Sequence, residues 1–220
     1  MITTSRRRKF AKARVIHILA ASAGGLLTAV LMSSSADAHN NKVTISENNG
    51  ERCVVSTGLP NHSIGQFPNS GNPHSIREQS VRLCMTTSPR KGRRAQQIRG
   101  SIGVGVNGVQ FRPGTADYYD AASRRGFSRN PASGWKLDGL GAAETLGMDK
   151  NNAHVDERGL YHYHGVENAL VRSGKVSLIG WAADGFEIHY VGSAVSSSYQ
   201  LKSVSRPCAP GVTYDGTFVQ

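Results

Sequence analysis

Residues Asn151 to Gly165 read N-N-A-H-V-D-E-R-G-L-Y-H-Y-H-G and place three histidines within eleven positions, His154 to His164. Tyr161-His162-Tyr163-His164 suits a β-strand, since aromatic residues pack well on a pleated surface. On a strand, side chains two apart share a face. His162 and His164 should therefore project together, with Tyr161 and Tyr163 on the opposite face. Asp156-Glu157-Arg158-Gly159 reads as a turn, which returns Asn152-Ala153-His154 alongside that strand and adds a third imidazole. Asp149-Lys150-Asn151-Asn152 reads as a second turn that positions His154. A fourth ligand could come from Asp184, within Gly180-Trp181-Ala182-Ala183-Asp184-Gly185-Phe186, or from His189.

Three neutral imidazoles with one oxygen or water suit Zn²⁺ or Cu²⁺. They suit Ca²⁺ or Mg²⁺ less well, because those ions prefer all-oxygen shells. The competing interpretation is that these histidines only hydrogen-bond within a packed aromatic strand. Hydrolysis at a metal would also need an open coordination position and a nearby base. Asp184, Glu187, Asp156 and Glu157 are the candidates, with Trp181 lining the expected cleft. Gly-x-Ser-x-Gly, a P-loop and H-E-x-x-H are all absent from the sequence. His62 and His74 fall in Leu59 to Ser75, a stretch with three Pro and three Asn. They read as surface residues unless that loop folds over the site.

The elements that would hold these residues are mostly strands. Val43 and Ile45 alternate with polar residues, as do Val81, Leu83 and Met85. Ile102 to Phe111 reads as a hairpin turning at Asn107-Gly108, a pair that tolerates positive φ at both positions. Val176 to Ala183 and Phe186 to Val191 are further strands. Ala116 to Arg125 and Gly141 to Met148 are expected to form short helices. The expected fold is thus mainly β: a single domain of antiparallel strands, sandwich or barrel-like, with one or two short helices.

Composition sets the outer limits. The chain has 220 residues, 38% of them hydrophobic, which is too apolar for a wholly disordered protein. Its 25 Gly show no triplet period, which excludes collagen. The only long apolar stretch lies near the N-terminus, so a polytopic membrane protein is excluded. Residues 1–38 read as an export signal. Six basic residues precede a mild apolar run from Val15 to Met32, and Ala36-Asp37-Ala38 offers a cleavage site. Arg7-Arg8 followed by Lys9-Phe10-Ala11-Lys12 resembles a twin-arginine signal. A retained membrane anchor is the alternative, weakened by Gly24, Gly25, Ser22 and His17. The mature domain is then 39–220, in an extracytoplasmic compartment and without a stable membrane span.

The formal net charge of +11 suggests a nucleic-acid partner at first sight. Five of those charges leave with the signal, and many others sit between Ser88 and Arg99. That basic loop has no interleaved aromatic residue, so it reads as solvated or facing an anionic envelope, and no nucleic acid is expected. Cys53, Cys84 and Cys208 are the only cysteines. Cys53 and Cys84 each adjoin a β-like run, and a bridge between them is favoured over one involving Cys208.

The chain resembles the YHYH-domain family, which takes its name from the tetrapeptide at 161–164. Gly58-Leu59-Pro60-Asn61-His62, Phe67-Pro68-Asn69, Asn107-Gly108-Val109, Pro113-Gly114-Thr115-Ala116, Asn151-Asn152-Ala153-His154-Val155, the Gly180–Phe186 stretch and Tyr214-Asp215-Gly216-Thr217-Phe218 carry the resemblance, over about residues 43–220. It implies an exported protein with one mostly β domain, and it implies no particular reaction. Family members often continue with an acidic, cysteine-bearing segment, so the resemblance implies a shortened C-terminus and an unpaired Cys208. His189 departs from the family pattern and receives no role from it. The expected partners are a metal ion and an envelope or extracellular ligand.

Overall fold

The computed structural model describes residues 40–94, 96, 98–166, 170–171, 177–196, 200–201 and 218–219. The export signal at 1–38 and Cys208 lie outside the described residues. The strands, in chain order, are β1 (Val43–Asn48), β2 (Glu51–Ser56), β3 (Val81–Thr86), β4 (Gly103–Gly105), β5 (Gln110–Phe111), β6 (Tyr118–Tyr119), β7 (Phe127–Ser128), β8 (Ala153–Val155), β9 (Tyr161–Tyr163), β10 (Ser177–Ala182), β11 (Glu187–Tyr190), β12 (Gln200–Leu201) and β13 (Phe218–Val219). The fold is mainly β. One sheet has the order β1-β2-β3 and a larger one β11-β10-β4-β5-β9-β8. Pairing is antiparallel except between β5 and β9. Two further pairs, β6-β7 and β12-β13, complete the described strands.

The two main sheets pack on each other as a sandwich. Val54 and Met85 from the smaller sheet meet Val104 and Trp181 from the larger one, and all four are buried. A second core forms around Val109, Phe111, Tyr161, Tyr163 and Ile179. Ile64, Phe67 and Ile76 pack against it, so the loop after Leu59 covers the tyrosine face. Burial of two fully enclosed tyrosines contributes on the order of several kcal/mol, at ~25 cal/mol per Å² of apolar surface.

Turn chemistry explains two departures from the expected hairpin. At Asn107-Gly108 the loop has three residues, not two. Gly105 N–H donates to Val109 O at 2.8 Å across Val106-Asn107-Gly108, and only Gly108 takes positive φ, at 78°. The Asn107 side chain is used elsewhere, donating to the Tyr163 hydroxyl at 2.9 Å. A two-residue turn does occur, at Asn49-Gly50 between β1 and β2, where φ is 50° and 78°.

Neither expected helix forms. Residues 116–125 contain β6 and turns, and the Asp120 carboxylate accepts the Ala122 N–H at 3.0 Å, a local bond that competes with a helix. Residues 141–148 mix three hydrogen-bond spans: Leu146 N–H to Ala142 O, Gly147 N–H to Glu144 O and Met148 N–H to Ala143 O. The helical turns that do form are 3₁₀ pieces at Pro131–Ser133 and Gly192–Ala194.

Cys53 and Cys84 are bonded, as favoured. They stand directly opposite on β2 and β3 with Cα atoms 4.0 Å apart, and the bridge closes the whole Leu59–Ser75 loop. A 31-residue separation corresponds to about 3–4 kcal/mol in the chain-entropy description. Replacing both cysteines by Ser is expected to lower unfolding free energy in urea by about that amount. A loss under about 1 kcal/mol would show that strand pairing alone holds the loop.

Candidate metal centre

β8 and β9 pair antiparallel with His154 opposite His162. The turn between them is built by Asp156. Its backbone N–H donates to Leu160 O at 3.0 Å, and its Oδ1 accepts the Arg158 and Leu160 N–H groups at 2.9 and 3.0 Å. At the other end of β8, Asp149 N–H donates to Ala153 O, and Asn152 holds φ at 53°. The chain therefore turns at both ends of a three-residue strand, as the Asx-rich sequence predicts.

The alternation of β9 sorts its side chains. Tyr161 and Tyr163 face the second core. There Tyr161 donates to Asp149 Oδ2 at 2.8 Å, and Tyr163 meets His62 Nε2 at 2.7 Å. His162 and His164 face the other side with His154. The three rings lie 4.7–5.0 Å apart between centroids. His162 and His164 are buried, and His154 is half-buried. Gly139 makes the room: a Cβ there would run into His164 Nδ1.

Each ring has its Nδ1 on a backbone carbonyl. His154 meets Leu146 O at 2.9 Å, His162 meets Leu160 O at 3.1 Å, and His164 meets Pro113 O at 3.2 Å. A carbonyl only accepts, so each Nδ1 carries the proton and each neutral ring keeps a bare lone pair on Nε2. Those Nε2 atoms converge, His162 to His164 at 3.1 Å and His164 to His154 at 3.2 Å. Three lone pairs aimed at one another repel unless a cation sits among them. Tetrahedral coordination at Zn–N distances of ~2.0–2.1 Å separates the nitrogens by roughly 3.3 Å. Both separations from His164 Nε2 are close to that spacing, and the three ligand atoms all lie within 4.8 Å of one another.

A proton is a poor substitute for that cation. Burial pushes all three imidazoles below their ordinary pKa, and the neighbouring rings push His162 and His164 further down, His164 to about 4. The Arg112 charge adds to the effect on each ring.

The other expected ligands are elsewhere. Trp181, Val104, Gln110, His162 and His154 form one row of paired positions across the larger sheet. Three strand spacings, about 14 Å, separate β10 from β9. Asp184 is exposed in the turn that follows β10 and is not brought to the triad. His189 is exposed on β11 and pairs with Glu187 at 2.8 Å. Trp181 is buried in the inter-sheet core with the Arg52 guanidinium 4.7 Å from its ring centre, so it does not line the cleft as expected.

The surroundings of the triad include residues that local spacing does not announce. A cleft of about 420 Å³ opens on all three histidines and is also lined by His74, Arg112, Asp117, Arg125, Asp156 and Glu157. The Leu59–Ser75 loop thus serves both faces, sending His62 to the tyrosines and His74 to the cleft. Arg112 directly follows β5, whose parallel pairing with β9 carries it there. It donates to Asp156 Oδ2 at 2.8 Å. Burial opposes the Asp156 charge, but Arg112 and the Leu160 and Arg158 N–H groups hold its pKa down at about 2. With its oxygens so engaged, Asp156 is a turn-builder and not a free base. A second group, Glu51, Cys53 and Cys84, offers no thiolate because its cysteines are bonded to each other.

The sequence pattern of the YHYH protein family matches residues 81–220. The chain belongs to that family. The matched region contains the whole triad and Arg112 and leaves 43–80 outside it. No curated protein and no solved structure matches the chain.

Depressed histidine pKa values fix the sign of a pH effect. Above 6.5 the rings are neutral both folded and unfolded, and their contribution to stability is complete. Between 6.5 and about 4 the unfolded chain binds more protons, so stability falls with pH, by up to about 1.4 kcal/mol per unit per histidine. Urea unfolding in excess chelator should level off about one unit above 6.5 and weaken steadily towards pH 4.5, with a shallower slope in His164→Gln. Equal stability at pH 7 and pH 4.5 would contradict the assignment.

Proposed function

We propose that this protein is an exported YHYH-domain protein that holds one divalent transition-metal ion, zinc or copper, through Nε2 of His154, His162 and His164. What carries the reading is the set of three Nδ1–carbonyl hydrogen bonds, which leave the His164 Nε2 lone pair 3.1 Å from that of His162 and 3.2 Å from that of His154. Metal-bound histidines ordinarily anchor their second nitrogen in this way. Imidazole ligands suit both Zn²⁺ and Cu²⁺. The bridge between Cys53 and Cys84 and the twin-arginine-like N-terminus support an extracytoplasmic location. Among the described residues, no helix is long and apolar enough to cross a membrane.

The cleft favours a second reading, a metal-dependent hydrolase acting on envelope or extracellular material. A centre with three protein ligands that opens on a cleft keeps a coordination position for water or substrate, whereas structural zinc sites use four protein ligands. Asp117 and Glu157 line that cleft and are candidates for a base. A non-metal binding module, in which the histidines only pack, predicts no response to chelator.

Metal analysis of the purified protein should find one ion per chain, falling to none in His162→Ala/His164→Ala. Chelator should lower the wild-type melting temperature and leave the double variant unchanged. Equal, substoichiometric metal in both proteins would defeat the proposal.

A further inference from the structure

The walls of the cleft are rich in cations. Arg112, Arg125 and Arg129 all line it, and His74 lies among them. The acids facing them are partly engaged already. Asp156 accepts from Arg112 and Arg158, and Glu157 pairs with Arg129 at 3.5 Å across an exposed gap. Arg112 uses Nη1 on Asp156 and its backbone N–H on Tyr163 O, and the other N–H groups of its guanidinium bond to no described residue. Arg125 lies over the Phe127 ring, 4.4 Å from its centre. Stacking occupies the face of a guanidinium and leaves its N–H edge available. Asp117 is the remaining acid on the wall.

A fixed arginine beside a metal centre carries an electrostatic cost. Arg112 lines the same cleft as all three histidines, and its charge repels a divalent ion held there. An anion placed between the two removes that repulsion and gains from both charges. Guanidinium groups match the planar spacing of carboxylate and phosphoryl oxygens and bind them with two parallel hydrogen bonds.

We propose that the cleft is an oxyanion site, in which a phosphoryl or carboxylate group of a small ligand bridges the metal held by the triad and the free N–H groups of Arg112, with Arg125 as the second cation. This rests on the metal reading above. It narrows the extracellular ligand to an anionic molecule that fits about 420 Å³. The basic loop at 90–94 is exposed and takes no part in this site.

Cobalt-loaded protein tests the proposal, because the visible cobalt spectrum responds to a change in coordination. Cobalt should bind at one per chain without added anion. Inorganic phosphate and acetate are then titrated separately, and a saturable spectral change with either one supports the site, its identity separating phosphoryl from carboxylate ligands. Arg112→Lys keeps a charge beside Asp156 but loses the planar fork, and should weaken the anion by about tenfold at unchanged cobalt stoichiometry. Arg125→Gln, at an exposed position, should weaken it less. Failure of cobalt to bind overturns the metal reading and this proposal together. Full cobalt binding with no response to either anion, or equal anion affinity in the Arg112→Lys/Arg125→Gln variant, overturns the oxyanion site alone.

Discussion

The hydrogen bond from each histidine Nδ1 to a backbone carbonyl is the interaction on which the site depends. Three carbonyls, from Leu146, Leu160 and Pro113, select one tautomer in three rings. Without them the rings could share protons through Nε2 and settle as an ordinary polar cluster. With them, three lone pairs are held together in a buried place where protonation is opposed. The carbonyls come from separate parts of the chain: the turns before β8, the residue preceding β9, and the segment after β5. The backbone fold therefore sets the chemistry of the rings as much as the rings themselves do.

That dependence gives the surrounding architecture a purpose that can be stated in distances. β8 and β9 are three residues each, too short to hold a site by their own pairing. They are fixed from behind by Tyr161 and Tyr163, which are fully buried and hydrogen-bonded to Asp149, His62 and Asn107. The Pro/Asn-rich loop packs over those tyrosines, and the Cys53–Cys84 bond closes the loop at its base. Sheet, loop and disulfide thus all restrain the face opposite the histidines, and the histidine face is left to the cleft.

Much of this arrangement was legible in the sequence, and the reasons differ from residue to residue. His162 and His164 follow from strand alternation, which is a local rule. His154 follows from recognising Asp156 to Gly159 as a turn, also local. Arg112, Arg125 and His74 could not be placed, because their approach depends on the parallel pairing of β5 with β9 and on the path of two long loops. The position of Asp184 could not be read locally for the same reason: strand order puts β10 three places from β9. The helix expected at 116–125 gives way to β6 and to turns in which Asp120 bonds the Ala122 N–H, and at 141–148 the backbone hydrogen bonds span three, four and five residues and do not settle into one helical repeat. Asn49-Gly50 carries the same hairpin signal and forms the two-residue turn, while Asn107-Gly108 lies in a three-residue loop in which Asn107 serves Tyr163.

The central claim is that three Nε2 atoms hold one metal ion. Anomalous diffraction from crystals grown with zinc, recorded on both sides of its absorption edge, tests it most directly. The account predicts a single strong peak among His154, His162 and His164, about 2.0–2.1 Å from each Nε2. A triad with no anomalous peak in crystals that carry zinc at other positions would contradict it.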